Sequence, residues 1–195
     1  MTNWPRLRLA VLILAAVVLL AVTADLAGRW AGRRLSYTGS FSSESVERVA
    51  LSPAPERRPA PVLEFTDGDG RARALAEFRG RVVLVNIWAT WCPPCTAEMP
   101  ELDALQDSLG GARFQVVAVS VDAAGTALVR QWYQRHGLGH LAAYATPAAK
   151  SGAPLLPASM LVDAEGRVAW TGVGGFPWTD RAVVAEITAL MAEPG

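Results

Sequence analysis

Between Arg81 and Cys92 the chain reads VVLVNIW and then ATW, and a second cysteine, Cys95, follows after two prolines. A near-continuous apolar run of strand length suits a strand covered on both faces. Here it runs almost directly into Cys92-Pro93-Pro94-Cys95. Pro93 fits a first helical turn, where a missing N–H costs little. The chain must therefore bury a strand and turn from it into a helix, with two thiols at the turn.

The rest of the pattern agrees. Val62–Phe65 and Arg71–Leu75 flank Asp67-Gly68-Asp69-Gly70, which predicts a hairpin. Phe114–Val121 is a second buried strand, and Thr126–His136 has helical character. Pro100 predicts a kink in the helix that follows Cys92. Ser159–Asp163 and Arg167–Thr171 form a hairpin around Ala164-Glu165-Gly166. Thr179–Ala192 reads as a terminal helix with Thr179 as N-cap and Ala182, Val183, Ile187, Leu190 and Met191 apolar. The expected fold is an α/β layered domain over residues 61–195.

Ahead of it lie two other kinds of sequence. Leu9–Ala24 reads LAVLILAAVVLLAVTA and follows Arg6 and Arg8. A basic start before an apolar run marks a secretion signal or signal-anchor. A membrane-spanning helix needs about 20 residues, which this run approaches. Residues 1–28 are read as a retained anchor, with cleavage after Ala24 as the other fate. Arg29, Arg33 and Arg34 blunt the charge asymmetry, and export of the carboxy-terminal part is the expected orientation. Residues 29–60, with RLSYTGSFSSES and SPAPERRPAP, lack any period of 2 or 3.6 and read as a flexible Ser/Pro-rich linker.

Charge excludes one class of partner. Eighteen basic residues balance eighteen acidic ones in 195, so no basic excess is present for nucleic acid. Lys150 is the single lysine. With only two cysteines the chain is no disulfide scaffold.

The two thiols carry the chemistry. Cys92 at the start of a helix faces unpaired N–H groups and the positive end of the dipole, which favour its thiolate. Cys95 lies one turn further in and can displace a partner held on Cys92. Prolines at 93 and 94 supply no N–H to that thiolate. A less stabilised thiolate is a less stabilised reduced form, which predicts a reducing site. The bland alternative is half a zinc site completed by His136 and His140. Those histidines fall in a distant Gly-rich stretch and read as loop residues, so no metal site is assigned.

The segment VVLVNIWATWCPPCTAEMPEL, the hairpin region before it and PASMLVDAEGRV after it resemble the membrane-anchored thioredoxin-like reductases of the TlpA and ResA type. The resemblance spans roughly residues 60–192. It implies a thioredoxin-like fold, a central mixed sheet flanked by helices with an N-terminal β-hairpin. It makes Cys92 the nucleophile and Cys95 the resolving thiol, with their disulfide as the redox group and no other cofactor. It implies that Glu98 moves the proton of the buried cysteine, although Glu98 alone reads equally well as a solvated helix residue. Pro157 matches a cis-proline, and Leu156 would offer backbone groups to a substrate. Gly174 and Gly175 match a loop that admits a partner's backbone. Trp91, by its adjacency alone, is expected to shield Cys92. Asn86 stands where thioredoxin carries a titratable Asp, which leaves proton handling to Glu98 or water. Phe176-Pro177-Trp178 either flanks a partner groove or staples the last helix.

By the same resemblance the partners are client proteins with disulfides, at cytochrome c or copper sites, and a membrane thiol–disulfide electron donor. The chain would act as a monomer on the cytoplasmic membrane with its domain outside, or free in the periplasm after cleavage. Two other functions stay open: an oxidase or isomerase using the same cysteines, and a non-catalytic metal carrier.

Overall fold

The computed structural model describes residues 52–54 and 56–194, so the readings on the amino-terminal apolar segment lie outside the described residues. Among the described residues no helix is long and apolar enough to cross a membrane.

Strand β4, Val82–Trp88, is buried at every position. Val, Ile and Leu on both of its faces explain this, and each such side chain contributes about 1.5–3 kcal/mol when fully buried. It pairs in parallel with β5, Phe114–Ser120, and antiparallel with β7, Ala158–Val162. β7 pairs with β8, Val168–Val173, across the expected hairpin. Short β6, Tyr144–Ala145, continues the sheet, and β2, Glu64–Asp67, and β3, Ala72–Ala74, form the first hairpin at the far edge. The Asp67 carboxylate fixes that hairpin's turn by accepting from the N–H groups of Asp69 and Arg71 at 3.0 and 2.9 Å.

Helix α1, Pro93–Leu109, packs on β5 and α2, Gly125–His136, on β6. A single turn, α3, spans Ala148–Ser151, and α4, Arg181–Ala192, packs on β4. Pro100 lies inside α1. Asp103 of α1 is buried and accepts from the N–H groups of Gly139, His140 and Leu141 at 3.3, 2.8 and 3.0 Å. That anchor is why the Gly-rich stretch after α2 is an ordered loop. His136 instead ends α2 and stacks on Trp132, with ring centroids 3.8 Å apart.

Two expectations need correction. The cap of α4 is Asp180, not Thr179: its Oδ1 accepts from the Ala182 N–H at 2.8 Å. Ala182 is exposed, while Ile187 and Leu190 are buried and Val183 and Met191 are half-buried against the core. The sheet also begins before residue 61. Strand β1, Ser52–Pro53, pairs with β8, and the chain stays beside it through Ala54, Arg58, Pro59 and Ala60. Edge strands tolerate proline because one side of the backbone needs no partner. The proline-rich part of the expected linker is therefore an edge of the sheet.

The topology brings one edge of the sheet to a focus. β4 and β5 end there, and β7, antiparallel to β4, begins there with Ala158 opposite Ile87. β8 ends there with Val173 opposite Ala158. Thus the loop before α1, the residue before β7 and the loop after β8 all meet at the carboxyl end of β4.

Candidate active site

The loop from β4 into α1 carries Trp91 and Cys92. A buried carboxylate holds it: Asp122 accepts from the Thr90 N–H at 2.9 Å, the Thr90 hydroxyl at 2.8 Å and the Ser120 hydroxyl at 2.7 Å. Cys92 is the N-cap of α1, with Pro93 and Pro94 as the first two helical residues. The two cysteines form a disulfide, their Cα atoms 5.3 Å apart. Cys95 has no exposed surface and Cys92 keeps 6%. The expectation of an open first thiol is thus narrowed. In the disulfide state Cys92 is bonded to a fully buried partner and offers the solvent only a small face, while Trp91 beside it is 67% exposed. Trp91 stands out from the surface.

The bond between Leu156 and Pro157 is cis, as the resemblance implies. Pro157 is buried and Leu156 half-buried. The Pro157 carbonyl accepts from the Gly174 N–H at 2.8 Å, which ties the loop before β7 to the loop after β8. Gly174 has a φ of 100°, which glycine adopts without strain. A Cβ added at Gly175 would lie 3.8 Å from the Pro94 carbonyl and 4.0 Å from Glu98 Oε2. Gly175 therefore rests against the first turn of α1, and the structure brings Cys92, Cys95, Glu98, Pro157 and Gly174 to one edge.

Glu98 is not solvated. It is 4% exposed, and its two oxygens are fully engaged. Oε1 accepts from Asn86 Nδ2 at 2.7 Å. Oε2 accepts from Trp178 Nε1 at 3.0 Å and from the Phe176 N–H at 3.2 Å. Burial pushes the Glu98 carboxyl above the ordinary glutamate value, because the charged form loses its water. The N–H donors of Asn86, Trp178 and Phe176 pull the other way, and burial prevails. A carboxyl poised in this way can hold a proton and give it up to a nearby base.

Phe176 and Trp178 correct the reading of their segment. Both are buried, at 4% and 0%, and neither lines an open groove. They enclose the Glu98 carboxylate, to which both donate. The sequence signal was a pair of aromatics spaced by proline just before a helix. Their target lies in α1, far away along the chain, which no local pattern reveals. Asn86 and Ser159, joined by a 3.0 Å hydrogen bond from Asn86 Nδ2, complete the polar cluster in the centre of the sheet. Among the described residues no cluster of three or more metal-ligating side chains is found.

Comparison with known proteins places the chain in a family. The Redoxin family model matches residues 54–188. The chain is 29% identical over 139 residues to the thiol-disulfide oxidoreductase ResA of Bacillus cereus, covering 68% of this chain and 73% of that relative. It is 34% identical over 92 residues to the thioredoxin-like protein YneN of Bacillus subtilis, covering 46% and 52% of the two chains. A crystal structure from Chlorobium tepidum, described as a thiol:disulfide interchange protein DsbE, superposes with a TM-score of 0.61 at 26% identity, covering 73% of this chain and 100% of its own. The chain belongs to the Redoxin family and is a thioredoxin-like thiol–disulfide oxidoreductase of the TlpA and ResA type.

Proposed function

We propose that this oxidoreductase works as a reductase of client disulfides outside the cytoplasm. The Cys92 thiolate attacks one sulfur of a client disulfide and releases the other as a thiolate. Cys95, losing its proton to Glu98, then attacks the Cys92 sulfur and releases the second client sulfur. The client gains two electrons and takes up two protons, and the domain is left as the Cys92–Cys95 disulfide. The cis-Pro157 edge with Leu156, the Gly174 loop and exposed Trp91 form the surface against which a client chain lies.

The direction rests on one observation: the first two helical positions after Cys92 are both proline. They withdraw two N–H donors from the helix start, so the reduced form is stabilised less and gives up its electrons more readily. Regeneration calls for a dithiol donor. In a compartment without bulk reductant that donor is a membrane thiol–disulfide transporter. The amino-terminal apolar segment serves as the membrane anchor, and the domain acts as a monomer on clients such as haem-attachment or copper-site cysteines. Equilibration with thiol buffers tests the direction. A midpoint below about −200 mV is expected, and one near the strong-oxidant value of about −120 mV would contradict a reductase.

A further inference from the structure

Asn86 sits in the middle of β4 with no exposed surface, and it is bonded at only one end. Its Nδ2 donates to Glu98 Oε1 at 2.7 Å and to Ser159 Oγ at 3.0 Å, while its Oδ1 has no partner. A buried acceptor without a donor is uncommon in proteins and asks for a reason. The reason lies in what faces it. A glutamate oxygen accepts when ionised and donates when protonated, and a serine hydroxyl does either.

The pattern in the structure suits only the carboxylate. All the groups on the two Glu98 oxygens are N–H donors: Asn86 Nδ2, the Phe176 N–H and Trp178 Nε1. A proton on Oε2 would meet two donors, one from Trp178 and one from Phe176. A proton on Oε1 would meet the hydrogens of Asn86 Nδ2. No acceptor awaits it unless the amide turns over. Turned, Asn86 Oδ1 accepts from protonated Glu98 Oε1 and from the Ser159 hydroxyl, and Nδ2 occupies the place that Oδ1 has now.

Each orientation makes two hydrogen bonds and leaves one end of the amide unpartnered, the carbonyl oxygen in the first and the N–H groups in the second. Oxygen and nitrogen of an amide are nearly the same size, and the torsion that swaps them is broad and two-fold. No repacking of the sheet is needed. A partner that cannot turn would instead set donor against donor, or acceptor against acceptor, at Glu98 Oε1 in one of the two states and lose that bond, at a cost of about 1–3 kcal/mol.

We propose that the Asn86 side-chain amide turns over as Glu98 takes up or releases its proton, which makes Asn86 a positioning residue for the proton step. The proposal rests on Glu98 being the proton carrier of the thiol exchange. An aspartate at position 86 would set a second acid against Glu98, whereas the amide follows the proton without titrating. Among charged side chains, Glu101 further along α1 also acts on Glu98, in the same direction as burial. It is bonded to Thr179 and takes no part in the Asn86 contact.

The chain holds two asparagines, Asn3 and Asn86, so selective labelling isolates the amide. We would label the full chain in detergent micelles with side-chain 15N asparagine and carboxyl 13C glutamate, and titrate it by NMR from about pH 4 to pH 10. The cross-peak between the Asn86 amide protons and the Ser159 β-protons should be present when Glu98 is ionised. It should be lost with the same midpoint as the Glu98 carboxyl carbon. In the Glu98→Gln variant the introduced amide donates to Asn86 Oδ1 in place of the acid. The cross-peak should then be absent at every pH. If the Glu98 carbon titrates while the cross-peak persists, the turnover is wrong and Glu98 still carries the proton. If the Glu98 carbon does not titrate, the proton role and the turnover fall together.

Discussion

At the residue scale the decisive group is Glu98. Its burial and its three N–H donors act in opposite senses, and burial is the larger effect. The folded chain therefore keeps this proton to higher pH than the unfolded chain, whose glutamates titrate near about 4.3. The stabilisation this gives is complete below that value and drains away as pH rises through the raised folded value. Thermal unfolding of wild type and Glu98→Gln across that range should show wild type falling relative to the variant as pH rises. A gap that does not change with pH would mean that Glu98 is not shifted in the fold. Trp178→Phe removes one donor from Glu98 Oε2 and should move the Glu98 midpoint further upward, read from the same carboxyl carbon. A buried carboxylate losing a partner should also cost about 1–3 kcal/mol in a denaturant melt.

At the scale of elements, the loop after β8 closes over Glu98, and a glycine makes room for it. A Cβ at Gly172 would run into the Phe176 ring, only 2.8 Å from Cε2. Gly172→Ala should push that ring off β8 and cost about 1–3 kcal/mol by overpacking. Because the Phe176 N–H donates to Glu98, the substitution should also shift the pH dependence of the disulfide potential. A variant as stable as wild type with an unchanged pH profile would show that the loop is held by something other than this contact. What was legible beforehand follows element by element. The buried run into β4, the cysteine pair at the helix start and the β7–β8 hairpin are local patterns, and each stands where the sequence implied. The walls of the site are not local. Glu98 three residues after Cys95 is an ordinary helix position until Trp178 arrives from the other end of the domain. Thr179 and Asp180 can both cap a helix, and only the backbone geometry chooses Asp180.

At the scale of the whole domain, the edge formed by residues 52–60 makes the folded part longer than its sequence pattern implied. A proline-rich strand has no periodicity to betray it, since its partner is β8, far along the sequence. Arg57 secures it through Glu193 and, at 3.5 Å, the buried Asp163. Beginning the chain at Val62 instead of Ser52 should lower the denaturant midpoint, since β8 loses a neighbour and Asp163 one of its two arginines. Equal midpoints would make the strap dispensable. The same pairing sets Ser52 opposite Thr171 in β8, short of the Gly174 loop that a client would meet.

The division of labour between the two sulfurs is the central claim, and single-cysteine variants test it most directly. Mixed with a disulfide-bonded client peptide, the Cys95→Ser protein should accumulate a covalent adduct through Cys92, and Cys92→Ser should accumulate none. An adduct on Cys95 in the Cys92→Ser protein, or none in either variant, would contradict it.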